Sequence, residues 1–261
     1  MTPWRVLDTG ARDGAWNMAC DVALMARARR TGESVFRVYA WSSPTLSFGR
    51  HEAALGRYDA AKIAAAAVQV VRRPTGGRAL LHHREVTYSV TAPVNLAESL
   101  PASMRRINQW LLRALHRLGV PAVEAEEPRT MRPEGASCFA LPAPGELTLA
   151  GRKLVGSAQV RQDGALLQHG SILLDDDQPR IAGFAVGPFL SSAPAATLRS
   201  ALGPEVRYET VRDALLDVVA SDVSALPAAR LQLSVDDPAL TGGPFDASLA
   251  QFRDAAWTWR R

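Results

Sequence analysis

The sequence predicts an α+β fold, a mixed β-sheet with helices packed on it. Three observations carry this. Residues 15–30 and 103–118 space their apolar side chains at helical intervals. Alternating or β-branched runs recur along the chain, and three of them (146–150, 153–160 and 165–174) follow one another with only turn residues between. Strands that arrive in hairpin runs favour a mixed sheet over a strictly alternating parallel one. The third observation is size: 261 residues, 47% hydrophobic and 21% charged, suffice for a sizeable core. No internal repeat or clear linker divides the chain. A single domain over residues 1–261 is expected, with 205–261 a short extension packed on it and 190–197 its softest point.

Residues 4–8 read as a short strand. In 15–30, Met18, Val22, Met25 and Ala26 make a stripe, with Ala19 and Ala23 beside them. Cys20 lies in this helix and reads as a small apolar core residue. Residues 35–41 alternate as a strand does, and 44–49 form a second extended piece. Residues 59–67 are Ala-rich and helical. Residues 68–72 are apolar and β-branched, and lead into Arg73-Pro74-Thr75-Gly76-Gly77-Arg78. Residues 85–91 alternate again. Ser103 is the expected N-cap of the next helix, whose apolar face is Ile107, Trp110, Leu111, Ala114, Leu115 and Leu118. Gly119-Val120-Pro121 stops it. His116 falls on its polar side, a surface position. Residues 122–137 are polar, hold two prolines and one glycine, and read as a loop that ends at Cys138. The turns between the last three strands fall at Ala150-Gly151-Arg152 and Gln162-Asp163-Gly164. Beyond 205 the chain predicts a helix at 208–219, a strand at 231–235 and a helix at 246–254.

Composition excludes several function classes. The net charge is +4, yet uninterrupted basic residues come only in pairs such as Arg29-Arg30 and Arg72-Arg73. Aromatic residues are not interleaved with them, so a nucleic-acid partner is not expected. The charge fits either a solvated surface or a patch for an acidic partner. Two cysteines make no disulfide framework, and five scattered histidines without a CxxC pair make no metal site. No cofactor is expected. Neither a leader peptide nor a stretch near ~20 apolar residues occurs. The default is a soluble cytoplasmic monomer without a membrane partner.

Cys138 stands fifteen residues ahead of Lys153. A lysine on a strand can point its amine into a pocket, where a nearby thiol would ionise more easily. Thiolates attack thioesters, so the pair suggests acyl transfer through a cysteine. The Gly76-Gly77 loop has two readings, a tight turn between strands or a cradle whose backbone N–H groups approach a ligand. Flanking Arg73 and Arg78 could hold an anionic or carbonyl-bearing ligand. His169 ends a strand-like run and His82-His83 follows the loop; each reads either as a satisfied structural histidine or as a base.

Four motifs occur together and in order: Arg72-Arg73-Pro74-Thr75-Gly76-Gly77-Arg78-Ala79-Leu80-Leu81-His82, Glu85-Val86-Thr87-Tyr88-Ser89, Gly151-Arg152-Lys153-Leu154-Val155-Gly156-Ser157-Ala158-Gln159, and Leu167-Gln168-His169-Gly170-Ser171. With Asn17-Met18-Ala19, Pro44-Thr45-Leu46-Ser47-Phe48-Gly49 and Thr197-Leu198-Arg199, they resemble the biotin/lipoate protein ligase superfamily over roughly residues 4–220. The likeness is greatest to its lipoate-ligase-like protein N-octanoyltransferases. The resemblance implies a class II synthetase-like sheet with the acyl pocket under the glycine loop. It implies that Lys153 is the pocket lysine, that Cys138 carries an acyl thioester, and that Arg73, Thr75, Gly76, Gly77, Arg78, His82, Gly156, Ser157, Ala158, His169 and Gly170 line the site. The donor would be octanoyl-acyl carrier protein. The acceptor would be a lysine of a lipoyl-carrier protein, such as the glycine cleavage H protein or a 2-oxoacid dehydrogenase E2 domain. Lipoate ligases typically carry a third glycine where this chain has Arg78, and need no nucleophilic cysteine. His83 replaces a usual Asp, and Val22 a frequent acidic residue. The competing readings are an octanoyl or lipoyl amidotransferase between carrier proteins, an ATP-dependent lipoate ligase, and a non-catalytic acyl-binding module.

Overall fold

The computed structural model describes residues 4–95, 98–125, 145–189, 194–224 and 242–260. The chain starts with β1 (Trp4–Arg12), α1 (Gly14–Thr31), β2 (Ser34–Trp41) and β3 (Thr45–Phe48). Asp13 caps α1 by accepting from the Trp16 amide, and Gly32 ends it at φ +73°, a left-handed value that a side chain would resist. Next come α2 (Ala60–Ala65), β4 (Gln69–Arg72), β5 (Leu80–His82), β6 (Glu85–Pro93) and α3 (Leu100–Arg117). Then follow β7 (Val123–Glu124), β8 (Leu147–Leu149), β9 (Arg152–Gln162), β10 (Ala165–Leu173) and a 3-10 helix (Gln178–Phe184). The helices α4 (Leu198–Leu202), α5 (Tyr208–Ser224), α6 (Gly243–Arg253) and α7 (Ala255–Thr258) complete the described order.

Seven strands form one mixed sheet in the order β1-β2-β6-β10-β9-β8-β7, and three form a smaller sheet, β4-β3-β5. Within the large sheet only β1 and β2 pair in parallel. The sheet alternates cleanly. Phe36 and Val38 of β2, with Val86, Tyr88 and Val90 of β6, face α3 and α5 and build the larger core. Val35, Tyr39 and Trp41 face the opposite way, against Met18, Ala19, Cys20 and Leu24 of α1. Helix α6 covers α1 from outside through Phe245 and Phe252, which explains why α1 is buried nearly all round. The smaller sheet keeps its own core, from Leu46 and Phe48 to Ile181 and Phe184.

The mixed sheet flanked by helices is therefore the fold that the strand runs predict. Several boundaries differ for physical reasons. Ser99, not Ser103, caps α3 and accepts from the Ala102 amide. Pro101 sits in the first turn, where its missing N–H costs nothing. Ser103 lies one turn inside, buried, and donates to the Leu100 carbonyl. Part of the expected loop after 122 is strand: β7 pairs with β8. Both hairpin turns carry paired positive φ angles, Ala150 (50°) with Gly151 (74°) and Asp163 (50°) with Gly164 (81°), the twist-matched two-residue connection. The predicted strand at 231–235 lies outside the described residues. Among those described, no helix is long and apolar enough to cross a membrane.

Candidate active site

The glycine loop links β4 to β5 and lies against the α1-side face of the large sheet. Its backbone passes so close to Gly49 that a Cβ there would collide with the Gly77 carbonyl. Gly77 itself takes φ +97° and is exposed, with Gly76 and Arg78 half-buried beside it. Arg73, expected to meet a ligand, braces the loop. Its guanidinium donates to the carbonyls of Gly76 (3.0 Å), Arg78 (2.7 Å) and Ser47 (3.0 Å). Arg72 is wholly buried and sits in a cage of carbonyls, among them those of Gly49 (2.6 Å), Glu52 (2.7 Å), Thr258 (2.9 Å) and Arg260 (3.0 Å). The segment after α6 thereby anchors the base of the loop.

Two chains of carboxylate, imidazole and hydroxyl fasten the loop and the small sheet to the large sheet. In the first, the Thr75 hydroxyl meets His169 Nε2 at 2.6 Å, and His169 Nδ1 meets Asp21 Oδ2 at 3.0 Å. An ionised carboxylate only accepts, so Nδ1 carries a proton and donates it to Asp21. Asp21 also accepts from Arg37 (2.8 Å) and Ser89 (2.7 Å). Burial alone would raise the Asp21 carboxyl, but the His169 hydrogen bond and the Arg37 charge outweigh it and hold it below the ordinary carboxylate range. In the second chain, His82 Nδ1 meets Glu85 at 2.8 Å and Nε2 meets the Ser47 hydroxyl at 2.8 Å. The His82 ring stacks on Trp41 at 3.9 Å. Burial holds it below the ordinary imidazole range, against the pull of Glu85. Thr87 and Ser171 also donate to Glu85 Oε1, at 2.6 and 2.7 Å.

Lys153 is buried, and its ammonium donates to Glu146 at 2.6 Å. A β-bulge sets its direction. Leu147 pairs with Val155 and Thr148 with Lys153, so β9 has one residue more than β8 at this point. Leu154 and Val155 both join the α3-side core, which turns Lys153 to the opposite face. That is the face of His169, Gly156 and Ala158, the last two lying opposite Ser171 and His169 in register.

The expected site residues thus divide. Arg73, Thr75, Gly76, Gly77, Arg78, His82, Gly156, Ala158, His169 and Lys153 share the glycine-loop face or the loop itself. Ser157 turns to the α3 side, where its hydroxyl meets the Tyr88 hydroxyl at 2.7 Å. Gly170 lies beneath that contact; a Cβ there would come within 2.8 Å of the Tyr88 ring. Cys138 lies outside the described residues. Four residues that sequence reasoning missed hold the site together: Asp21, Glu146, Glu85 and Arg37. Their signal is pairing across elements, and no local pattern carries that. Cys20 is a fully buried core thiol pushed up to about 12 by burial, as its helical position predicts.

Comparison with known proteins gives a consistent pattern. The profile of the family described as lipoyl protein ligase A/B catalytic domain matches residues 13–220. The chain is 41% identical to the octanoyltransferase LipM of Symbiobacterium thermophilum, over 82% of this chain and 84% of the relative. It is 40% identical to the LipM of Kyrpidia tusciae, over 86% and 89%. Among solved structures it resembles a lipoate-protein ligase A bound with ATP (TM-score 0.74, 17% identity, 99% and 98% coverage). It also resembles a bipartite lipoate protein ligase from Thermoplasma acidophilum, described with its E2 lipoyl domain (TM-score 0.75, 17% identity, 99% and 97% coverage). At such identity these structures speak for the fold alone.

Proposed function

This chain belongs to the lipoyl protein ligase A/B catalytic-domain family, and we propose that it moves an octanoyl group from acyl carrier protein to a lipoyl-carrier lysine through a thioester on Cys138. Octanoyl transfer in protein lipoylation is the activity of its relatives and of this enzyme. The donor, the intermediate, the site residues and a single cytoplasmic catalytic unit over residues 1–261 are the proposed parts. One observation supports the mechanism most: a buried lysine ammonium, Lys153, faces the glycine-loop side and is held at 2.6 Å by a carboxylate.

The Cys138 thiolate attacks the octanoyl carbonyl, the carrier's thiol leaves with a proton, and an acyl-enzyme results. The acceptor lysine amine then attacks the thioester. Its C–N bond forms as the Cys138 C–S bond breaks, and the amine's proton returns to the released sulfur. Bringing a thiol from about 8.5 to about 7 needs roughly 2 kcal/mol. An ammonium about 4 Å away supplies about 4 kcal/mol at an effective dielectric near 20. Glu146 offsets part of that field and holds the ammonium in place. His169 takes no proton from the acceptor directly, because both its ring nitrogens are engaged inside. It positions Thr75 and the loop. The loop's N–H groups are the donors for the oxyanion.

The test is intact mass after incubation with octanoyl-carrier protein. One octanoyl adduct is expected, labile to hydroxylamine, and Cys138→Ser should lack it as a thioester. An unmodified wild type that acylates a lipoyl domain only with ATP would sink the reading. Offering octanoylated H protein in place of carrier protein identifies the donor.

A further inference from the structure

Beside the glycine loop lies a surface that the mechanism leaves unused. Three half-exposed arginines, Arg50, Arg57 and Arg260, belong to it. Backbone contacts make it continuous: the Arg50 amide donates to the Thr75 carbonyl of the loop (2.8 Å), and the Val186 amide to the Arg57 carbonyl (2.9 Å). The Arg260 guanidinium donates to the Arg50 carbonyl at 2.7 Å. Leu55 (55% exposed) and Val186 (56%) are large apolar side chains left in solvent on this same surface. Among the described residues no carboxylate forms an ion pair with any of the three arginines. Nearby Glu52 is committed to the Tyr58 hydroxyl (2.8 Å) and the Gly49 amide (3.3 Å), and Asp59 caps α2. Unneutralised guanidiniums around an apolar pair match a protein face that bears carboxylates around an apolar contact.

We propose that this surface docks the carrier that delivers the octanoyl thioester. The inference rests on the acyl-transfer reading. Its geometry favours the donor over the acceptor. Arg50 donates to Gln162 at 2.7 Å, at the far end of β9 from Lys153. Nearer in, the Arg50 amide meets Thr75, whose hydroxyl holds His169, and His169 pairs with Ala158, five residue steps and roughly 16 Å along β9 from Lys153 at about 3.3 Å each. A lysine side chain is far too short to bridge that length. The partner seated here brings its reactive group on a long tether, as a thioester carrier does, and threads it past Gly77 toward Lys153.

The test compares Arg50→Glu/Arg57→Glu and Leu55→Ser with wild type at low salt. The expected result is a rise of about tenfold in KM for octanoyl-carrier protein, with kcat retained. The salt dependence of that KM should flatten in the charge-reversed enzyme. Turnover of the small donor octanoyl-N-acetylcysteamine, and KM for the acceptor domain, should stay unchanged. An unchanged carrier KM, or an equal rise for the acceptor, overturns the proposal. If wild type takes octanoyl from no carrier, the transfer reading itself fails; titration of the carrier against wild-type and reversed enzyme then still decides whether this surface binds it.

Discussion

Lys153 shows how much one side chain owes to its partner. It and Glu146 are both buried, so removing the ammonium breaks a buried ion pair from one side. Such a loss typically costs about 3–5 kcal/mol, whereas removing both charges is often close to neutral. Lys153→Met should therefore lower the urea midpoint sharply, and Lys153→Met/Glu146→Gln should restore most of it while transfer stays absent. A double variant as unstable as the single one would show that the pair is not the cause. His82 gives a second check. Its folded pKa is depressed by burial, so its contribution to stability is fully present above the unfolded value near 6.5 and is lost as pH falls through the folded one. The wild-type urea midpoint should fall below about pH 6.5, and His82→Gln should flatten that slope. The sequence made both residues candidates, Lys153 by its strand position fifteen residues after Cys138 and His82 by its place after the glycine loop. It did not reveal which way Lys153 points. Strict alternation would put it with Ser157, and only the bulge at Leu154 sets it with His169.

At the level of elements, close approaches explain the glycines that matter. A Cβ on Gly170 would lie 2.6 Å from the Gly156 carbonyl and 2.7 Å from the Ser157 hydroxyl, in the middle of the sheet where the carbonyl cannot yield. Gly170→Ala should cost about 1–3 kcal/mol, read as a lower urea midpoint, and should break the Tyr88–Ser157 contact. The α3 cap is a milder case: Ser99→Ala should cost about 1 kcal/mol, measured in the same way. Long helices and hairpin turns were legible because periodicity and Asp-Gly chemistry are local. The strands β5 and β7, three and two residues long, were not, since alternation needs more residues to register. The α3 cap falls one turn earlier than Ser103, at Ser99, with Pro101 in the first turn.

Across the whole molecule, the layers were predictable but the closing contacts were not. The helix at 246–254 could be read from its pattern. Its continuation, Trp257 to Arg260, reaches back to Arg72, a contact with no local signature. Arg72→Met should therefore loosen two regions at once, and hydrogen exchange should rise both in the glycine loop and in residues 255–260. Exchange confined to one of them would separate the two. Arg72 and Trp257 lie 185 residues apart, so a ribosome finishes the loop long before it supplies the carbonyls that hold it. A nascent chain released after α6 could carry every group proposed for chemistry and still lack the anchor that fixes their loop. Premature termination near residue 254 should consequently yield a protein that folds its sheets and works poorly.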